Sequence, residues 1–187
     1  ADADISLASV PLDLLDAAGA WRFAGGRLEL SGVSMRVEDR EALDRFEPMV
    51  ARDARLTLTD NMITADTLLR EPVSGRVVTG VTIAHDLGSG AGHADLAVDR
   101  LVFDNALQPD MLTGLALGVV ANARGTVTGR GRIDWNESGV TSSGQFSTDD
   151  LDFAAAFGPV EGVAGTIRFT DLLGLVTAPG QRLTIRS

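Results

Sequence analysis

Short turn signals punctuate this chain, and between them apolar and polar residues alternate. The clearest stretch is residues 125–135. There Val127, Ile133 and Trp135 share one parity with Gly129 and Gly131, while Thr126, Thr128, Arg130, Arg132 and Asp134 take the other. A period of two puts successive side chains on opposite faces, so such a run is an extended strand with one apolar and one wet face. The pattern returns at residues 26–35, 55–59, 75–85, 92–103, 144–153, 165–172 and 181–186. One-sided strands with little helix to cover them must put their apolar face against something. What covers that face is the functional question.

The turn signals order these runs. Gly25-Gly26 and Asp60-Asn61 are hairpin turns, and residues 86–92 form a glycine-rich one. Parity slips at Ser31-Gly32 and again within residues 149–152, which predicts β-bulges. Residues 5–9 read as a short strand, and residues 11–18 as one or two helical turns closed by Gly19. Residues 38–46 are charged and fit a polar loop, or a short helix with Leu43 and Phe46 on one side. Residues 108–120 make the best helix: Pro109 and Asp110 open it, and Met111, Leu112, Leu115 and Val119 fall near helical spacing, against Gly114 and Gly118. The sum is a mainly β, antiparallel architecture with one or two short helices.

Charge excludes several partners. The 16 basic residues are all Arg, against 26 acidic ones, for a net charge of −10. Nucleic-acid phosphates need clustered positive charge, and anionic lipid surfaces attract it, so neither is expected as an electrostatic partner. The absence of Cys removes disulfides, thiolate metal sites and cysteine catalysis. The apolar stretch 112–123 is too short to span a bilayer, which takes about 20 residues. The first residues lack the basic and apolar regions of a signal peptide. Both ends read as cuts from a longer polypeptide.

The candidates for chemistry reduce to turns. His85 and Asp86 are adjacent on a strand and point to opposite faces, so neither orients the other. His85 and His93 across a hairpin lack an evident third metal ligand. Residues 88–92 lead into a strand, whereas a phosphate-cradling loop leads into a helix. The acidic run 149–152 lacks the spacing of a calcium loop and reads as a bulge with solvated carboxylates. Ser138, Ser142, Ser143 and Ser147 have no base nearby in sequence. No cofactor and no catalytic residue is expected. The apolar strand face remains, either as the closed core of a sandwich or barrel or as an open groove filled by a ligand.

Several phrases decide between these by resemblance. Residues 125–135 (GTVTGRGRIDW), 163–172 (VAGTIRFTDL) and 177–185 (TAPGQRLTI), with His85-Asp86-Leu87, Gly90-Ala91-Gly92 and Leu107-Gln108-Pro109 upstream, resemble the YdbH-like domain of the AsmA/TamB-like proteins of Gram-negative envelopes. The resemblance is strongest over residues 54–187, and we read 1–187 as a single segment of a longer protein of that kind. It implies a strongly twisted open sheet curved into a groove. It also implies an inner-membrane anchor outside this segment, a course through the periplasm, protein partners there or at the outer membrane, and phospholipid acyl chains carried along the groove. On that reading the expected lining is Val127, Ile133, Trp135, Phe146, Phe153, Ile167, Phe169, Leu183 and Ile185, which would solvate tails. A dicarboxylate site would need convergent arginines, and Arg130 and Arg132 fall on the wet parity.

Overall fold

The structure, a computed structural model, describes residues 3–6, 12–42 and 44–186. Among the described residues twelve strands follow one another: β1 (Ala3–Ser6), β2 (Leu12–Ala24), β3 (Arg27–Asp39), β4 (Met49–Thr59), β5 (Met62–Arg70), β6 (Val77–Asp86), β7 (Gly92–Phe103), β8 (Ala121–Asn136), β9 (Gly139–Ala155), β10 (Gly158–Asp171), β11 (Val176–Thr177) and β12 (Leu183–Thr184). They form one antiparallel sheet in chain order from β1 to β11, and β12 shares the outer side of β10 with β11. The first and last strands do not pair with each other, so the sheet is open and no barrel forms.

Tight turns enforce this meander. Gly25 and Gly26 have φ of 59° and 78°, and Asp60 and Asn61 have 50° and 65°. Two consecutive left-handed residues match the right-handed twist of the flanking strands, and Gly, Asn and Asp adopt that conformation most readily. The expected bulges are present. Register shifts between Leu30 and Val33 around Gly32, and again between Val163 and Gly165, opposite residues 148–151.

Two helical expectations are corrected. Of residues 11–18, Pro11 lies outside the described residues and 12–18 belong to β2. Leu12, Leu15 and Ala18 have helix-like spacing, but a register shift with Asp16 at φ 54° produces that spacing within a strand. Residues 108–120 hold two single 3-10 turns, Pro109–Met111 and Gly114–Ala116, in place of a continuous helix. Gly114 and Gly118, the latter at φ 72°, interrupt the run. Of residues 38–46, expected as a polar loop or short helix, 38 and 39 end β3 and 40–42 and 44–46 are loop, with Leu43 outside the described residues; of the expected strand 5–9 the structure describes residues 5 and 6, in β1.

The sheet curls. Leu12 on β2 packs against a cluster of Val81, Ala94 and Trp135 on β6, β7 and β8. In a flat sheet β2 and β6 would lie roughly 19 Å apart, four strand spacings, beyond the reach of one leucine. Arg45, in the β3–β4 loop, and Asp171, at the end of β10, also act on each other electrostatically. Interruptions of register within strands supply the bend: Leu15/Ala18, Val50/Arg55, Val98/Leu101 and Arg124/Thr128 are further shifts.

Candidate functional site

Cross-strand register turns the alternation of single strands into continuous rows. Phe23, Leu28, Leu58, Ile63, His85, Gly92, Trp135 and Val140 are successive partners from β2 to β9. The adjoining row is Trp21, Leu30, Leu56, Ala65, Ile83, Ala94, Ile133 and Ser142. Another runs through Thr67, Val81, Leu96, Gly131, Gly144, Phe169 and Thr177 to β11. None of these rows contains Asp, Glu or Arg. The row on the opposite face reads Arg22, Glu29, Thr57, Thr64, Ala84, His93, Asp134 and Thr141. One face is therefore apolar along the length of the sheet and the other is polar.

The apolar face is the concave one, because Leu12 of β2 packs across it on the cluster of Val81, Ala94 and Trp135. Glycines make room for large rings there. A Cβ on Gly92 would lie 2.7 Å from the Trp135 ring and 2.6 Å from the Ala84 carbonyl oxygen. A Cβ on Gly129 would lie 2.3 Å from Phe146. The indole Nε1 of Trp135 donates to Nδ1 of His85 at 3.1 Å, which satisfies the polar atom of a buried ring. His85 therefore belongs to the concave face. Asp86 caps its own turn by accepting from the Gly88 amide at 2.7 Å. His93 lies on the other face, beside Asp95 at 3.6 Å.

The expected lining separates by position. Trp135 is a member of the Val81 cluster, and Ile133 packs against it. Val127 and Phe146 pack against a second cluster of Val98, Leu101 and Leu107. Ile167 is the register partner of Phe146, and Phe169 meets the same ring edge-on at 5.9 Å between centroids. Phe153 is half-buried and pairs with buried Val160 in the far half of β9. Leu183 sits beside Gly165 on the edge strand β12, and Ile185 is 62% exposed beyond it. These two are marginal to the concave face. Of the acidic run, Asp149 and Asp150 are exposed, Asp150 beside Arg186 at 2.8 Å, while half-buried Asp152 accepts from the Gly162 amide at 2.7 Å. Arg132 is held on the polar face by Asp95 and Asp134, and Arg130 lies beside Asp99.

Sequence reasoning left out the N-terminal half of the same rows: Leu30, Leu56, Leu58, Ile63, Ile83 and Leu96. The alternation of residues 77–83 was the available signal. The bulges hid the rest, since each one flips parity and breaks a row read along one strand.

At the other end of the strands, an ion pair fixes the β3–β4 loop. The Asp39 carboxylate is fully shielded and accepts from Arg45 Nε and a terminal guanidinium nitrogen, both at 2.8 Å, and from the Arg45 amide at 2.7 Å. Burial alone would raise the Asp39 pKa, but the bonds from Arg45 outweigh it and hold the carboxyl below its ordinary value. Arg45→Ala would strand that carboxylate. We expect a loss of about 2 kcal/mol in urea unfolding, less than for a fully buried pair because Arg45 keeps 20% of its side chain exposed.

Glu71 and Asp171 behave like Asp39. Desolvation pushes buried Glu71 up, and the hydroxyl and amide of Ser74 and the amide of Val73 bring it below its usual value. The Ser142 hydroxyl, bonded at 2.6 Å, and the Gly174 amide lower Asp171. A depressed folded-state pKa gives stability that is complete above the unfolded values, 3.8 for Asp and 4.5 for Glu, and is lost as pH falls through the folded ones. The urea midpoint should therefore fall as pH drops below those values, and Asp39→Asn should flatten that fall.

Among the described residues no helix is long and apolar enough to cross a membrane, and no three His, Cys, Asp or Glu side chains form a metal-binding group. No curated protein and no solved structure matches the chain. A family model named YdbH-like, described as intermembrane phospholipid transport protein YdbH, matches residues 1–187, the whole chain. With that match over its full length, this chain belongs to the YdbH-like family of intermembrane phospholipid transport proteins.

Proposed function

We propose that this chain is a non-enzymatic segment of a periplasm-spanning protein and carries phospholipid acyl chains along its concave face between the inner and outer membranes. The observation that carries this reading is the set of apolar rows, continuous from β2 to β9 and free of Asp, Glu and Arg. Each methylene kept from water is worth about 0.8 kcal/mol, so such a face holds a tail. Similar contacts repeated from strand to strand let the tail slide, because no row residue is Asp, Glu or Arg and the Asp171 carboxylate that meets Ser142 is taken up by that hydroxyl and the Gly174 amide. Val127, Ile133, Trp135, Phe146, Ile167 and Phe169 form one part of the track, Phe153, Leu183 and Ile185 its margins, and Leu30, Leu58 and Ile83 its continuation. An inner-membrane anchor outside this chain and envelope partners would place it, and the polar outer face would stay in water.

Native mass spectrometry of the purified chain, with extraction of bound lipid, tests this. Co-purifying or added phospholipid should appear bound. A lipid-free protein that takes up no added phospholipid would favour a structural envelope domain.

A further inference from the structure

Among the described residues, the connection between β7 and β8, residues 104–120, is the longest of the sheet. Residues 111–123 contain no charged side chain, in a protein of net charge −10. Its root lies on the concave face. Leu107 is wholly buried against Val98 and Leu101, and Met111 and Leu112 pack on the same cluster as Val127 and Phe146. Gln108 staples the base: its amide nitrogen donates to the Asp104 carbonyl at 2.6 Å and to the Ala123 carbonyl at 2.9 Å, and its amide oxygen accepts from the Ala123 amide at 2.8 Å. Beyond that staple the loop makes two bonds to the β3–β4 loop. The Glu47 amide donates to the Leu112 carbonyl at 2.9 Å, and the Thr113 hydroxyl to the Arg45 carbonyl at 2.8 Å. Then Leu115, Leu117 and Val119 stand exposed, Leu117 by 65%. Gly114 precedes them and Gly118 falls between Leu117 and Val119; a Cβ on Gly118 would meet nothing within 4 Å.

We propose that residues 113–119 form a lid that folds over an acyl chain held against Phe146 and Val127, with Leu115, Leu117 and Val119 as its tail-facing side. The inference rests on the groove reading. The occupant is chosen by continuity: one uncharged surface runs from Phe146 and Val127 through Leu107, Met111 and Leu112 to the exposed side chains. Gly114 and Gly118 let the exposed side chains swing over a tail, while the Thr113 bond to Arg45 and buried Ala116 hold the segment at its base. Three exposed apolar side chains lose contact with water when a tail lies beneath them.

The absence of native Cys allows a clean probe. Leu117→Cys, labelled with a polarity-sensitive fluorophore, is titrated with dodecanoic acid below its micelle concentration and, separately, with phosphatidylethanolamine vesicles. In parallel, dodecanoic acid binding is measured on the wild type and on a Leu115→Ser, Leu117→Ser, Val119→Ser variant. The lid requires a blue shift with dodecanoic acid alone, and binding weakened roughly tenfold in the triple variant with an unchanged urea midpoint. A silent label and undiminished binding by the triple variant would overturn the lid and leave the groove standing. A response to vesicles only would make this a bilayer-docking loop, which also overturns it. No binding by the wild type would sink the groove reading and the lid with it.

Discussion

Gly125→Ala should cost about 3 kcal/mol of stability, the largest loss expected from any single methyl group added to this chain. Gly125 has φ of 144°, a backbone region that side chains rarely adopt. An added Cβ would also lie 2.4 Å from the Asp150 carbonyl oxygen and 3.0 Å from Cα of Leu151. Those are backbone atoms of the paired strand, so relief requires β8 and β9 to part. The residue stands beside the shift of register between Arg124 and Thr128, where the sheet bends. Urea unfolding of Gly125→Ala checks this, with Gly139→Ala as the comparison. Gly139 also has positive φ, 125°, but a Cβ there meets nothing, so only the backbone strain remains. Equal losses would mean that the crowding at the bend carries no energy.

Ile167→Asp should abolish lipid retention while leaving the protein folded. Ile167 is half-buried on β10, opposite Phe146, with β12 pairing β10 beyond it. A carboxylate there is too short to reach the polar face, and a tail passing it would have to displace its water. Bound lipid should drop by at least roughly tenfold, since even a partly compensated buried charge exceeds 1.4 kcal/mol. Phe169→Arg should act in the same direction more weakly, because a long guanidinium stem can lie along the apolar surface and carry its charge out to the sheet edge. Lipid content by mass spectrometry, read beside circular dichroism, separates loss of cargo from loss of fold. An Ile167→Asp protein that folds and keeps its lipid would mean that the track does not pass β10.

The strands were legible because alternation is a local property of the sequence. Residues 125–135 carry their facing in their own parity, and the glycine and Asp-Asn turns state where each run ends. The rows were not legible, because they depend on register across strands, and each bulge resets it. Ser31-Gly32 betrays its bulge by a visible slip. The shift between Leu15 and Ala18 does not, and there the leucine spacing imitates a helix. Residues 108–120 misled for a related reason. Met111, Leu112, Leu115 and Val119 have helical spacing, yet Met111 and Leu112 face the sheet, while Leu115 and Val119 stand exposed on a loop broken by glycine. The contacts of the candidate site are long-range in sequence. Leu12 of β2 against the Val81 cluster of β6 to β8, or the electrostatic effect of Arg45 on Asp171, leaves no local trace. The shared parity of Gly129 and Gly131 with Val127 and Trp135 was visible, but its meaning appears only with Phe146 and Leu172 lying over those glycines.

The central claim is that tails lie along the concave face over its length. Photo-crosslinking in cells measures it most directly. A photoreactive residue is placed singly at Leu58, Ile83 and Ile133 on the concave face, and at Thr64, Ala84 and Thr141 on the polar face. The groove account predicts phospholipid adducts at all the concave positions and none at the polar ones. Adducts of equal yield on both faces, or on neither, would contradict it.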